Sequence, residues 1–500
     1  MIPVISVENM RKSDRATIDG GLSGRELMWR AAQGVYNSVA WHGKIAIVCG
    51  SGNNAGDGYA LALILKQNGF LPDIILLRER FSADGEYYFK KCKGEGICVD
   101  FWHKSSTLDG YDIVVDCILG TGFSGELSDE LVCAIEKINA SGGYVVSVDI
   151  NSGLNGDSGL CKTAVKSDLT VSIGTPKHGH YLNQAKDYIR ELKNVDIGIE
   201  IIDTPSFLIE EKDCKRALKP RKEFSHKGAY GYATLIGGCT EYSGAIRLAN
   251  MALSAMRSGA GVIRVATAKS ISHAVMPHLL EATLYPLDDI DGAICFNKEQ
   301  IDGALLGAKA LAIGMGIGQK AQAYEIIDYV LSSYEIPVVI DADGLNALSR
   351  GDKNILKKTK CTVILTPHPA ELARLLGIST SEVVADPIGS ATKFAKEYRV
   401  IVLLKGATTI VASAEAIYLV NRGCAGMATA GSGDVLSGIL LALCAQSPEP
   451  EAQLINTYAG AYINGLAGEL AQAEHGAISM LSTDTISKIS SAIMKIAENE

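Results

Sequence analysis

Short apolar runs that break directly into glycine-rich polar turns, each followed by a helix-length segment, constrain this chain more than any other feature. Lys44–Gly50 (KIAIVCG) runs into Gly52–Gly58 (GNNAGDG) and then a helix from Tyr59 to Asn68. Further strands at Pro72–Leu77, Tyr111–Leu119, Tyr144–Ile150 and Asp168–Ile173 are separated by segments long enough for helices. Strands alternating with helices predict an α/β fold with a doubly wound parallel sheet, whose ligand crevice lies beyond the carboxyl ends of its strands. Before the first strand, residues 1–40 read as helical, with a start at Ser13 or Asp14 and a second helix over Arg25 to Val39.

The second half repeats the scheme. HKGAYG (His226–Gly231) precedes a strand at Tyr232–Gly237, and a helix is predicted from Gly244 to Ser258. Gly259–Val265, Ala310–Gly318, Val338–Asn346, Thr362–Leu372 and Val400–Val411 each carry an apolar strand bordered by polar or glycine residues. Between the halves, Asp203 to Lys222 loses sheet character. Pro205, the charge cluster Glu210–Arg216 and Lys219–Lys222 read as a linker or solvated face. The boundary is placed near residue 212, giving domains 1–212 and 213–500, since 500 residues exceed what one core usually serves.

Composition excludes several function classes. A net charge of −9 argues against a nucleic-acid surface, and no uncharged apolar run reaches membrane-spanning length. The twelve cysteines include no CxxC pair, and no signal peptide is evident, which points to a reducing cytoplasmic compartment. The nine histidines show no zinc-ligand spacing.

Three polar segments, each following a strand of the first sheet, should converge on one crevice: GNNAGDG, DCILGTGFSGE (Asp116–Glu126) and DINSG (Asp149–Gly153). Their glycines allow close approach of backbone to phosphates. Asn53, Asn54, Asp57, Asp116 and Asp149 offer acceptors for a ribose, a cation or a proton in transit. The GxGxxG dinucleotide fingerprint is missing, so hydride transfer by an ordinary bound nicotinamide is not the first choice.

In the second half, GCAGMATAGSGD (Gly423–Asp434) stands before a helix-period run, Val435 to Leu443. Gly431, Ser432 and Gly433 expose amides at a helix N-terminus, where peptide dipoles attract an anion. Asp434 beside an anion site suggests a base facing a hydroxyl, with a transferred phosphoryl group between them. The same residues also fit an ordinary glycine-rich N-cap. Lys405 with Gly406, Ala407, Thr408 and Thr409 supplies a cation and hydroxyls suited to phosphate oxygens.

The N-terminal motifs, with DINSGL and Lys177, resemble the Rossmann-like NAD(P)H-hydrate (NAD(P)HX) epimerases. That resemblance implies a potassium ion on Asn54, Asp116 and Ser152, and the hydrated dinucleotide on Asn53, Asn54, Ala55, Gly56, Asp57, on Gly120, Thr121, Gly122, Phe123, Ser124, Gly125, Glu126, and on Asp149. Asp149 is then the acid–base residue at the hydrated carbon, with Lys177 second. Ala55 stands where the family pattern has glycine.

The C-terminal motifs HKGAYG, GAGV, GMGIG, DADGLNAL, TPHPAEL, LLKGATT and GCAGMATAGSGD resemble the ribokinase-like family. They are more similar to its ADP- or ATP-dependent NAD(P)H-hydrate dehydratases, over residues 220–490. The resemblance implies substrate contacts at Ala260, Gly316, His368 and Asp434. It implies adenine-nucleotide contacts at Lys405–Thr409 and at Cys424, Ala425, Gly426, Met427, Ala428, Thr429, Ala430, Gly431, Ser432 and Gly433. Mg2+ and ADP as co-substrate follow from it, as does a homo-oligomer of four or more chains.

The activity so implied is repair of NADHX and NADPHX: one unit interconverts the R and S epimers, and the other dehydrates the S epimer. Two other readings stay open. A sugar or vitamin kinase would use GSGD in the same way but release a phosphorylated product. A non-catalytic N-terminal scaffold module would not need its acidic crevice residues.

Overall fold

The computed structural model describes residues 1–123, 125–203, 205–240, 251, 253–318 and 322–498. The chain divides into two compact units between Ser206 and Phe207, with Met1 and Ile2 grouped with the second.

The first unit is built on seven parallel strands: β1 (Ile45–Cys49), β2 (Pro72–Leu76), β3 (Cys98–Phe101), β4 (Ile113–Cys117), β5 (Tyr144–Val148), β6 (Leu169–Ile173) and β7 (Leu192–Val195). They run in the order β3-β2-β1-β4-β5-β6-β7. β1, β4 and β6 are buried at every position, as expected of strands covered by helices on both faces. The order reverses between β1 and β4, and their carboxyl ends open the crevice where such sheets bind ligands. β3 and β7, the two edge strands, escape the sequence reading because charged residues interrupt their apolar pattern.

Two helices precede the sheet. Val7–Asp19 is capped by Ser6, and Gly24–Ser38 by Ser23. Ser13 and Asp14 therefore lie inside the first helix rather than at its start.

GNNAGDG is not a loop. After Gly52 the chain is helical from Asn53 to Gln67, so the motif forms the opening turns of the helix. Two of its glycines serve packing. A Cβ on Gly56 would come within 2.6 Å of Met28 Sδ, and one on Gly58 within 2.9 Å of Cys117 Sγ. Gly56 and Gly58 thus bring this helix against strand and neighbouring helix, whereas a Cβ on Gly52 would meet open space.

The second unit carries β8 (Ser206–Leu208), β9 (Tyr232–Ile236), β10 (Val262–Ala268), β11 (Thr283–Leu287), β12 (Ala310–Ile313), β13 (Val338–Ile340), β14 (Val363–Leu365), β15 (Ile401–Leu404), β16 (Thr409–Ala412) and β17 (Ile417–Val420). They are ordered β8-β17-β16-β15-β14-β13-β12-β9-β10-β11. β9 to β15 pair in parallel, and β15-β16-β17 turn back as an antiparallel meander. Val400–Val411 is thus two strands of a hairpin with Lys405–Thr408 at its tip.

The segment read as a linker also acquires structure. Phe207 and Leu208 pair with Tyr418 and Leu419, and a short helix follows at Glu211–Cys214. The centre of the unit is the helix Ser432–Gln446, buried from Asp434 onward and packed within one large apolar cluster. The stretch 244–250 and residue 252 of the predicted Gly244–Ser258 helix lie outside the described residues.

Candidate functional site

A cavity of about 550 Å³ opens at the carboxyl ends of β1, β4 and β5. Asn53, Asn54 and Asp57 line it from the helix start, and Gly120, Thr121, Gly122 and Phe123 from the turn after β4. Asp149 enters from the end of β5. Gly52 offers no side-chain cap to the Asn53–Gln67 helix, so its first amides are left for a ligand or solvent. Ala55 and Gly56 are buried in the helix and do not line the cavity. Gly125 and Glu126 lie outside it too. Glu126 is exposed and paired with Lys162, because the turn after β4 carries it into solvent. Ser124 lies outside the described residues.

Asp149 holds a left-handed backbone, φ 64°, which non-glycine residues rarely adopt. Three contacts fix it there. Lys177 Nζ donates to Asp149 Oδ1 at 2.5 Å and to the Ile173 carbonyl at 2.8 Å. Thr121 Oγ1 donates to Oδ2 at 3.3 Å. The Lys177 amide donates to His180 Nδ1 at 3.0 Å, so the neutral ring carries its proton on Nε2 and donates to the Asp149 carbonyl at 2.7 Å. Burial, with the Lys177 charge adding to it, pushes His180 down to about 4 and keeps it neutral. Burial acts to raise the Asp149 carboxyl, but the Lys177 ammonium and its hydrogen bond prevail and hold it below the usual carboxylate range. Two other cavity carboxyls behave oppositely. Burial, reinforced by the Asp149 charge, pushes Asp57 well above its ordinary value, and burial raises Asp14 to about 6. One ionised carboxylate among reluctant neighbours is an arrangement suited to proton transfer.

Asp116, Asn54 and Ser152 meet around Leu119. Asp116 is fully buried and accepts from the Ser152 hydroxyl at 2.5 Å, the Ser152 amide at 2.8 Å and the Ser147 hydroxyl at 3.0 Å. Ser152 Oγ accepts from the Leu119 amide at 2.8 Å, and Asn54 Nδ2 donates to the Leu119 carbonyl at 2.8 Å. The Asn54 Oδ1 atom is buried with no hydrogen-bond partner. An orphaned carbonyl oxygen, a carboxylate and a hydroxyl gathered about Leu119 are donor types that fit an alkali cation.

In the second unit the carboxyl ends of β13, β14 and β15 gather a second cluster. Asp341, directly after β13, is buried. Its Oδ1 accepts from Lys405 Nζ at 2.9 Å and its Oδ2 from Ser437 Oγ at 2.8 Å. Ala342 follows with φ 50°, a strained turn that brings its own amide onto Asp341 Oδ1 at 2.9 Å. A Cβ on Gly433 would lie 3.5 Å from Lys405 Nζ, which puts the ammonium against the start of the Ser432–Gln446 helix. That helix begins at Gly431, φ 89°, without a side-chain cap, and Asp434 stands in its first turn. Burial would lower Lys405, but the charges of Asp341, Glu371 and Asp434 outweigh it and raise it. Burial would raise Asp341, and Lys405 overrides it to hold the carboxyl low.

His368 caps the Pro369–Leu376 helix. Its Nδ1 accepts from the Ala370 and Glu371 amides, while Glu371 Oε2 accepts the His368 amide at 2.8 Å. Burial and the Lys405 charge lower its ring value, leaving it neutral. Gly316, φ 59°, lies in the turn after β12, at the same edge of the sheet.

Ala260 does not join this cluster. It lies before β10, at the amino edge of the sheet, and its neighbour Gly259 packs against Gln446, the far end of the Ser432–Gln446 helix. Fifteen helical residues separate the two ends by roughly 20 Å, which removes Ala260 from the set expected around Asp434. The remaining expected nucleotide residues form two pieces. Lys405, Gly406, Ala407, Thr408 and Thr409 are the β15–β16 hairpin tip, with the Thr408 hydroxyl on Asn421 Oδ1 at 2.9 Å. Cys424–Gly433 is tied to the Pro450–His475 helix by the Gly426 amide on Gln472 Oε1, 2.9 Å, and at Gly423 by an amide on Glu469 Oε1, 2.8 Å. Among the described residues, no group of three histidine, cysteine or acidic side chains is placed to hold a metal ion.

Sequence reasoning gives Asp341, Ser437 and His180 no role at the sites and Asp14 only that of a helix start. Asp341 sits in the quoted DADGLN stretch at a strand end, a signal that was available. The others come from helices or loops with no motif.

The fold and these two clusters define an α/β enzyme of two units, the second of the ribokinase-like class. A family model described as "YjeF-related protein N-terminus" matches residues 24–179, and one described as "NAD(P)H-hydrate dehydratase" matches residues 233–491. The bifunctional NAD(P)H-hydrate repair enzyme Nnr of Coxiella burnetii is 34% identical across 95% of this chain and 96% of its own. That of Escherichia coli is 30% identical across 96% and 92%. The solved ADP/ATP-dependent NAD(P)H-hydrate dehydratase of Bacillus subtilis, co-crystallised with ATP and Mg2+, covers 59% of this chain and 100% of its own at 28% identity and TM-score 0.51. A ribokinase-like protein of Enterococcus faecalis, 22% identical with TM-score 0.50 over 59% and 97%, supports the fold alone. The chain belongs to the family of bifunctional NAD(P)H-hydrate repair enzymes.

Proposed function

We propose that the chain restores hydrated NADH and NADPH, its first unit exchanging the R and S epimers and its second dehydrating the S epimer at the expense of ADP. The observation that carries the reading is the placement of Lys405 beside the uncapped helix start that bears Asp434, in a chain of this family.

Hydroxide is a poor leaving group, since water has a pKa of about 15.7. A kinase-like fold answers this by phosphorylating the hydroxyl. Asp434 takes the hydroxyl proton, the oxygen bonds to the β-phosphorus of ADP, and AMP leaves. The ring nitrogen lone pair then expels phosphate, and loss of the neighbouring carbon's proton restores the double bond. The helix-start amides and Lys405 bear the charge on the transferred group. Mg2+ would supply charge neutralisation on the phosphates. With no three-residue cage among the described residues, it fits an ion held chiefly by nucleotide oxygens. Gly316 and His368 are assigned to the substrate, and the hairpin tip with Cys424–Gly433 to the nucleotide.

In the first unit Asp149 exchanges the proton as hydroxide leaves and returns at the hydrated carbon. Asn54, Asp116 and Ser152 are assigned to potassium, whose charge would steady the bound dinucleotide. The chain is assigned to the cytoplasm, in keeping with twelve cysteines that include no CxxC pair, and to an assembly of four or more copies, which light scattering tests.

The decisive assay incubates hydrated NADH with ADP or with ATP, follows both epimers by chromatography and reads the return of NADH absorbance. A phosphorylated product without NADH would return the chain to the sugar or vitamin kinases.

A further inference from the structure

Lys405 was expected on a nucleotide phosphate, yet its ammonium is occupied by a carboxylate with no role so far. Asp341 uses both oxygens at once, Oδ1 on Lys405 Nζ at 2.9 Å and Oδ2 on Ser437 Oγ at 2.8 Å. Ser437 lies three residues after Asp434 on the same helix, so it stands one turn further in. The carboxylate therefore joins the sheet-borne lysine to the helix that bears the base. Its own position is fixed by the strained Ala342, whose amide closes on Oδ1. A surface lysine would need none of this. Lys405 is a quarter exposed, while its partner is 3% exposed, so of the pair it is the lysine that reaches the open side.

We infer that Asp341 is a positioning residue for phosphoryl transfer: it holds the Lys405 ammonium against Gly433, beside Asp434, where the group in flight passes, and not out on the nucleotide that delivers it. The inference rests on the dehydration reading above. In the transfer step the substrate oxygen–phosphorus bond forms as the bond to AMP breaks. An ammonium fixed at that point meets the charge that develops only then. A lysine serving the bound nucleotide would act equally before and during transfer. The two roles differ in which kinetic constant they move.

Asp341→Asn keeps the shape and removes the charge. The expected result is a kcat for ADP-dependent dehydration down by about 10²-fold, with the KM for ADP within about threefold of the unaltered chain. The alkaline limb of the pH profile should also move to lower pH. The charged groups facing Lys405 are Asp341 after β13, Glu371 with the neutral His368 on the Pro369–Leu376 helix, and Asp434 on the Ser432–Gln446 helix. Removing Asp341 leaves the others too few to keep the amine protonated as far up in pH. Ser437→Ala, which frees one carboxylate oxygen and leaves the charge, should give a smaller kcat loss and no movement of the limb.

A readout independent of catalysis is reductive methylation of the full chain at pH 8 to 9, with each lysine followed by mass spectrometry. Lys405 should react faster in Asp341→Asn than in the unaltered chain. Equal labelling, or kcat and KM falling together on an unmoved pH profile, overturns the inference. If the unaltered chain forms no NADH with either nucleotide while the labelling difference persists, the dehydration reading fails and the lysine's placement stands.

Discussion

In the first unit the lysine is the hidden member of the ion pair, Lys177 at 1% exposure against 15% for Asp149. In the second the carboxylate is hidden, Asp341 at 3% against 25% for Lys405. Both pairs stand at the carboxyl end of a parallel strand, and both adjoin a residue of positive φ, Asp149 itself in one and Ala342 in the other. The buried partner fixes geometry and the showing partner meets the ligand, so the sign of the showing charge indicates the chemistry. A carboxylate facing the cavity suits protons and a cationic ring. An ammonium suits a phosphoryl group in transit.

Exchanging or deleting the members of each pair tests the contrast. The largest effect is expected from Asp434→Ala, which should cut nucleotide-dependent dehydration by about 10³-fold or more and leave epimer exchange at the unaltered rate. Dehydration near the original rate would end its assignment as base. Asp149→Asn should slow consumption of the R epimer by about 10²-fold while the S epimer is consumed normally, as chromatography of the two epimers would show.

Lys177→Met strands a buried carboxylate, an effect of about 3 kcal/mol in stability readable by urea titration. The pH effect has a definite sign. Asp149 is held low by Lys177; without that charge burial dominates, its carboxyl rises, and the acid limb of epimerisation moves to higher pH. The same depression means that the stability this pair contributes is present above the unfolded carboxyl's value and is lost as pH falls through the folded one. Replacing potassium by the smaller sodium should weaken epimerisation several-fold in the unaltered chain and have no effect in Asn54→Ala, if the orphaned Oδ1 is the ion's ligand as proposed.

The smallest effect concerns Asp14, raised to about 6 by burial. Between the ordinary carboxyl value and 6 the folded chain holds a proton that the unfolded chain has released, so stability falls as pH rises through that window. Asp14→Asn should therefore raise Tm by a few degrees at pH 7.5 and by less at pH 4. An unchanged Tm at pH 7.5 would remove the burial penalty assigned to this carboxyl.

The strand-turn-helix rhythm makes the central strands of both sheets legible in the sequence, because apolar runs ending in glycine mark buried parallel strands. It also indicated that Asn54, Gly120 and Asp149 share one edge, since topology alone carries successive strand ends there. What stayed illegible is pairing across the sheet. Lys177 meets Asp149 from 28 residues away and Lys405 meets Asp341 from 64, and no local pattern encodes either encounter. Ala260 misled for a related reason. GAGV stands before its strand rather than after it, and in a parallel sheet that single difference selects the opposite edge. GNNAGDG misled by composition: its glycines suggested a loop, whereas they thin a helix so that Met28 and Cys117 can pack against it.

The backbone of Asp149 also determines which replacement can be interpreted. At φ 64° a methyl side chain sits poorly, whereas asparagine accepts that conformation readily. An alanine variant would mix lost proton exchange with a displaced turn, and Thr121, Ile173 and His180, which all hold that residue, would shift with it. Asparagine, nearly the same in outline, keeps the turn and removes only the charge, leaving the buried Lys177 without its counter-ion.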